Sequence, residues 1–237
     1  MSIALINHTG ACGASTAGPI DTTGATLLVA VGHQWETPGI CTITDNKGNT
    51  WYPLTRYGTS GSCGFGQIHY AYGPSLSVGT NHIFYVTAQQ YQSLEVLAFS
   101  GIGAPAVDPF DSENGNNGEA AYTVQPGSVT PTAIGDLIIS TVHDGWSTGT
   151  AYTINNGFII GHSSYNGGDM SGAIAYKVAE AVEGHNPTWT HTQSCTKSSE
   201  IAVFKAAAAG GGVDTAKKRM SATHLLMPGF PMAILPD

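Results

Sequence analysis

From about residue 25 to 206 the chain is a succession of short runs, four to six residues long, either apolar or alternating, and cut apart by Gly, Asn, Asp and Pro. No amphipathic helical period is found between them. Runs of this length bounded by turn residues read as β-strands. Leu27–Val31 lies between Gly24 and Gly32. Cys41–Thr44 and Thr50–Leu54 flank the turn Asp45-Asn46-Lys47-Gly48-Asn49. Gln67–Tyr72, His82–Thr87 and Leu94–Phe99 complete a first set. A loop is expected over 101–133, rich in Gly, Asn and Pro. Asp136–Ser140, Gly157–Gly161, Ala173–Val178, Thr188–Thr190 and Glu200–Phe204 form a second set. Composition agrees. Only 10% of the residues are charged and 31 are Gly, whereas a helical bundle needs Glu, Lys, Arg and Leu along its faces. The fold class expected is all-β.

The two sets correspond. Leu27 and Leu137, His33 and His143, Tyr70 and Tyr176, Phe84 and Trp189, Glu95 and Glu200, and Phe99 and Phe204 recur in the same order at a nearly constant interval. Repeats of this kind point to a duplicated unit. With about five strands each, the halves (about 24–101 and 134–206) are expected to pair into one jelly-roll-like β-sandwich over 1–207. Each of its sheets would draw strands from both halves. Leu27–Val31 and Leu137–Ile139 are expected to be central strands covered on both faces.

Beyond the body the composition changes. Residues 208–212 read as a Gly-rich linker. Residues 213–237 carry Lys217, Lys218 and Arg219, then Leu225, Leu226, Met227, Phe230 and Ile234 among three prolines. Proline rules out a continuous helix there, and an extended apolar peptide needs a surface to cover it. These eight residues are the candidate partner-docking set. Removing the tail's Asp214, Asp237, Lys217, Lys218 and Arg219 from 16 acidic and 8 basic groups leaves residues 1–207 with 14 and 5. An acidic body argues against a nucleic-acid partner. No apolar run is long enough for a membrane span, and Met1–Asn7 does not read as a signal peptide.

Chemistry-bearing patterns are sparse. Cys12, Cys41, Cys63 and Cys195 show no C-x-x-C pair. Buried free thiols are expected, with a Cys41–Cys63 bridge left open. His33 and His143 follow the first strand of each half. A two-histidine metal site would use such symmetry, but Gln34 stands where Asp144 follows His143, so duplicated loop histidines are the expectation. Asp45–Asn49 reads as turn chemistry, and Asp108, Asp111 and Glu113 as a solvated acidic loop. There is no nucleophile elbow and no phosphate loop; no catalytic residue, no metal and no cofactor is expected, and the chain is read as a non-enzyme. Trp35, Trp146, Tyr57, Tyr165 and Tyr152 are placed in loops. The first four are candidates for a glycan-binding surface.

Gly-Ala-Thr-Leu-Leu-Val-Ala-Val (24–31), Thr-Asp-Asn-Lys-Gly-Asn-Thr-Trp (44–51), Phe-Ser-Gly-Ile (99–102) with Asp108-Pro109-Phe110-Asp111, and Ile-Gly-Asp-Leu-Ile-Ile (134–139) resemble a β-rich module of tailed-bacteriophage and bacterial surface proteins. The basic, Pro-rich ending is similar to the endings of small phage virion proteins. The resemblance implies a virion structural protein assembled in the host cytoplasm, foremost a capsid decoration or cement-type protein. A collar or tail-associated component, or a host-surface carbohydrate-binding adhesion module, is the alternative. The partners implied are other virion proteins (major capsid, tail or collar) and sister subunits in a homo-oligomer such as a trimer, with a host surface glycan besides.

Overall fold

A computed structural model describes residues 2–34, 41–59, 64–87, 91–103, 107–145, 151–167 and 170–207. The linker 208–212 and the arm 213–237, with all eight docking candidates, lie outside these residues, as do Trp35, Cys63 and Trp146. Among the described residues there is no helix. The first eight strands are β1 (Ala4–Cys12), β2 (Thr16–Ile20), β3 (Leu27–Gln34), β4 (Thr42–Asp45), β5 (Tyr52–Thr59), β6 (Gly64–Tyr72), β7 (His82–Thr87) and β8 (Gln92–Ser100). Six more follow: β9 (Phe110–Val124), β10 (Leu137–Gly145), β11 (Tyr152–Ile154), β12 (Ile159–Asn166), β13 (Met170–Val178) and β14 (Trp189–Phe204).

One main sheet has the order β1-β8-β3-β6-β5. The other runs β14-β10-β13-β12, with β9 and β11 both pairing with β14. A small sheet, β2-β7-β4, covers the first main sheet. All pairings are antiparallel. The all-β sandwich expected from the strand pattern is present. Its strands are divided differently from expectation, because each sheet draws on one half of the chain only. Within each half most paired strands are not consecutive in sequence; only β5–β6 and β12–β13 are neighbours along the chain.

β3 and β10 read as continuous apolar runs because both their faces are covered. Leu27, Val29 and Val31 join Leu97, Phe99, Leu137, Ile139, Ala202 and Phe204 in a core between the two main sheets. Leu28 and Ala30, pointing the other way, pack with Ile43, Phe84 and Val86 beneath the small sheet. On the far side Ile138 and Val142 pack with Tyr152, Phe158, Trp189, Ile201 and Val203. The side-chain period of two thus feeds three stacked cores from two central strands.

The halves also divide their outer layers differently. In the first half β7 and β8 are separate strands, in the small sheet and the main sheet respectively. In the second half β14 does both tasks. Its start pairs with β11 and its end with β10, while β9 follows it along most of its length. β1 and β2 precede the first run that the sequence pattern marks as a strand, near residue 25. β9 crosses the loop expected over 101–133, because Asn-Gly-rich segments lack the apolar alternation of a strand. Those residues are held by the ladder to β14 rather than by side-chain burial.

Double-sided burial is testable. Leu27→Ala and Leu28→Ala should each cost about 2–5 kcal/mol in urea unfolding, although the residues are adjacent. A strand with one wet face would leave one of the two substitutions nearly neutral.

Candidate functional site

At the end of the central core the inner faces of the main sheets carry polar groups. Ladder register places His33 opposite Ser93, and Glu95 opposite Val31. In the other sheet His143 stands opposite Ser198, and Glu200 opposite Thr141. The alternation that sends Val29 and Ile139 into the core sends His33 and His143 after them. The two imidazoles stack across the interface with centroids 4.4 Å apart. Neither is the loop histidine expected from sequence; both lie inside strands and are fully buried.

Two glycines make room. Gly66 pairs with His33 within one sheet, and Gly172 pairs with His143 within the other. A Cβ on Gly66 would stand 2.6 Å from His143 Cε1, and one on Gly172 would stand 2.7 Å from His33 Nδ1. Each sheet therefore keeps a bare backbone where the opposite sheet inserts its histidine and glutamate.

The contacts are only partly satisfied. His33 Nδ1 lies 2.9 Å from Ser93 Oγ and 3.4 Å from Glu95 Oε2. Ser164 donates to Glu95 Oε1, and Thr141 donates to Glu200 Oε2 at 2.7 Å. Ser198 Oγ bonds the His143 ring. His33 Nε2, Glu95 Oε2 and Glu200 Oε1 are buried without a hydrogen-bond partner. Burial raises both carboxyls, Glu95 and Glu200, to about 8. Burial pushes His143 down to about 4 and, with His143 beside it, holds His33 well below the usual imidazole range. Near neutral pH the cluster is therefore two carboxylic acids and two neutral imidazoles. It can exchange protons internally, but these four side chains have no exposed surface on which to meet a substrate.

The other sequence candidates are dispersed. Tyr57 is half-buried in β5, its ring against Gly115 of β9. Tyr165 is half-buried in β12. Tyr152, expected in a loop, is buried in β11. The acidic loop is not a free cluster. Asp108 accepts from Tyr70 Oη, Asp111 pairs with Lys205 at 3.4 Å, and Glu113 accepts from Thr55. Asp45 accepts from Lys47 and Asn49 backbone N–H groups and from Trp51 Nε1, the bonding of a turn. The sequence pairs Glu95 with Glu200 by position without assigning them a role. The signal it carries is one carboxyl inside the apolar run Leu94–Phe99 and a second at the head of Glu200–Phe204.

A concavity lies elsewhere, along β9 and the turn that follows it. It is an open groove of about 620 Å³. Asn114, Asn116, Gln125, Asn186, Thr123 and Thr188 line it, without a charged side chain. Asn116 and Asn186 use their side-chain oxygens on Gly118 and Gly127 backbone N–H groups. Gln125 donates to Thr188 Oγ1 at 2.9 Å. The wall is thus amides and hydroxyls held in place by their own turns. No protein-family model matches the chain, and neither curated proteins nor solved structures give a match.

The buried carboxyls dictate a pH dependence. A raised carboxyl favours the folded state below its unfolded value and loses that contribution as pH climbs through the folded value. The lowered histidines add a contribution that is complete above their usual value near 6.5. Above that point only the glutamates act, so the unfolding midpoint should fall between pH 6.5 and 8. Glu95→Gln, which cannot ionise, should remove roughly half of that fall in a denaturant series. An unchanged slope would mean that Glu95 is ionised in the folded protein.

Proposed function

We propose that this chain is a non-enzymatic structural protein of a bacteriophage virion, foremost a capsid decoration or cement-type protein whose C-terminal arm, 213–237, docks on neighbouring virion proteins. The observation that carries the non-enzymatic part is the sealed cluster. The four acid–base groups gathered between the two main sheets, His33, His143, Glu95 and Glu200, are enclosed there and held neutral. Such a cluster suits a stiff body, because a neutral interior costs far less than a charged one. The virion part rests on the sequence resemblance and on the composition of the arm. In this reading Leu225, Leu226, Met227, Phe230 and Ile234 supply apolar contact, and Lys217, Lys218 and Arg219 meet acidic neighbours. Many copies on one particle make weak single contacts sufficient.

The groove on β9 favours a second reading, a carbohydrate-binding adhesion module. Uncharged amides and hydroxyls fixed by backbone bonds are the donors and acceptors a neutral sugar needs. Asn116, Gln125 and Asn186 then take the place first given to Trp35 and Trp146.

Two experiments separate these readings. A chain lacking residues 208–237 should fold, with an unchanged far-ultraviolet spectrum, yet fail to join particles. Normal incorporation would overturn the docking proposal. For the groove, Asn116→Ala should weaken binding to a responsive bacterial surface polysaccharide about tenfold, the value of one lost hydrogen bond. A glycan signal indifferent to this substitution would place the sugar site elsewhere.

A further inference from the structure

A second polar cluster lies on the opposite face of the second main sheet, and the fold itself does not require it. β14 is interrupted in its pairing with β9. Thr190 pairs with Thr123 and Cys195 with Ala121, so four residues, His191–Ser194, oppose Tyr122 alone. In an unbroken strand residues four apart are about 13 Å distant. Here the extra residues gather the chain, and Cys195 Sγ comes to 4.0 Å from His191 Nδ1. Asp144, in β10, places Oδ2 at 3.9 Å from the same nitrogen. The three ligand-type atoms all lie within 4.8 Å of one another. Asp144 and His191 are buried, and Cys195 is half-buried.

From these residues we propose that Asp144, His191 and Cys195 form a binding site for a thiophilic divalent cation of the zinc class. Thiolate, imidazole and carboxylate together are a donor set that Zn²⁺ takes in tetrahedral geometry. Bond lengths of about 2.0–2.3 Å put ligand atoms roughly 3.3–3.6 Å apart around the ion. The two separations from His191 Nδ1, 4.0 and 3.9 Å, exceed that by about half an ångström, and the third is no more than 4.8 Å, so side-chain rotation has to draw the ligands in. The surrounding bonds orient the ligands in the way metal sites do. Ser171 Oγ donates to Asp144 Oδ1 at 2.7 Å, and Tyr152 Oη donates to Oδ2. The Gln193 backbone N–H donates to His191 Nδ1 at 3.3 Å, so that nitrogen is the unprotonated one, and this long bond gives way when the ion binds there. Lys197 Nζ is held by the Ala121, Gln193 and Cys195 carbonyls and lies 3.0 Å from Cys195 Sγ. Its ammonium offsets the negative charge of a thiolate and a carboxylate bound together. On binding, a metal–sulfur bond forms, the thiol proton passes to solvent, and no electron moves. Three protein ligands leave a fourth position for water.

The first half sharpens the argument. Where Tyr152 pairs with His191 in the second half, Ile43 pairs with Val86 in the first. Where Asp144 follows His143, Gln34 follows His33. At these positions the first half therefore carries Ile, Val and Gln where the second carries Tyr, His and Asp.

The test uses the full chain after chelator treatment and dialysis against zinc. One zinc per chain should be retained, and cobalt in its place should give a thiolate-to-metal charge-transfer band. Cys195→Ser should abolish that band, whereas Cys12→Ser should leave it intact. Tyr152→Phe, which frees one Asp144 oxygen, should weaken zinc at least about tenfold. Wild-type protein that retains no stoichiometric zinc, or shows no charge-transfer band, overturns the proposal without need of a variant. A band that survives in folded Cys195→Ser overturns it too.

Discussion

Two strands, β3 and β10, must be covered on both faces, and the layering of the body follows from that requirement. A strand run that is apolar toward both faces, as Leu27–Val31 and Leu137–Ile139 are, cannot sit at an exposed surface or against one partner sheet alone. Each therefore takes a partner sheet on its inner side and a small layer on its outer side. The inner sides meet each other, and the outer sides are closed by β2-β7-β4 in one half and by β11 with the adjoining turns in the other. The cost of the arrangement falls at the point where His33 and His143 reach the interface, because polar groups there lose water. They are tolerated by being uncharged, by stacking, and by the two glycines that leave them space.

Much of this was legible in the residues. Leu27–Val31 and Leu137–Ile139 announce buried strands by their unbroken apolarity, and the paired positions announce that both halves are built alike in outline. The partition of strands between sheets was not legible, since a list of strands fits several topologies and register depends on which faces meet. β9 was invisible for a different reason. Its residues Asn114 to Gly118 are turn formers by propensity, and only the pairing with β14 makes them a strand. The buried glutamates were visible as matched positions, but their protonation follows from depth, which a sequence does not display.

The same distinction holds for the two polar clusters. The His33–His143 cluster occurs at corresponding places in both halves and belongs to the joint between them. The Asp144–His191–Cys195 cluster belongs to one half and depends on an irregularity in one strand. His191 and Cys195 are four apart, a spacing that means nothing in a regular strand, so no sequence pattern marks it. Only a local bulge turns that spacing into proximity.

β14 has a mechanical consequence as well. Near its end, residues 197–204 are bonded to β9 on one side and β10 on the other, and the chain leaves it at Phe204 toward the C-terminus. Antiparallel ladder bonds run across the strand. Tension applied from that end is directed along β14 and loads the bonds on both flanks together, as a shear, rather than opening them one after another. A load reaching the body through Phe204 is therefore shared along both flanks of β14.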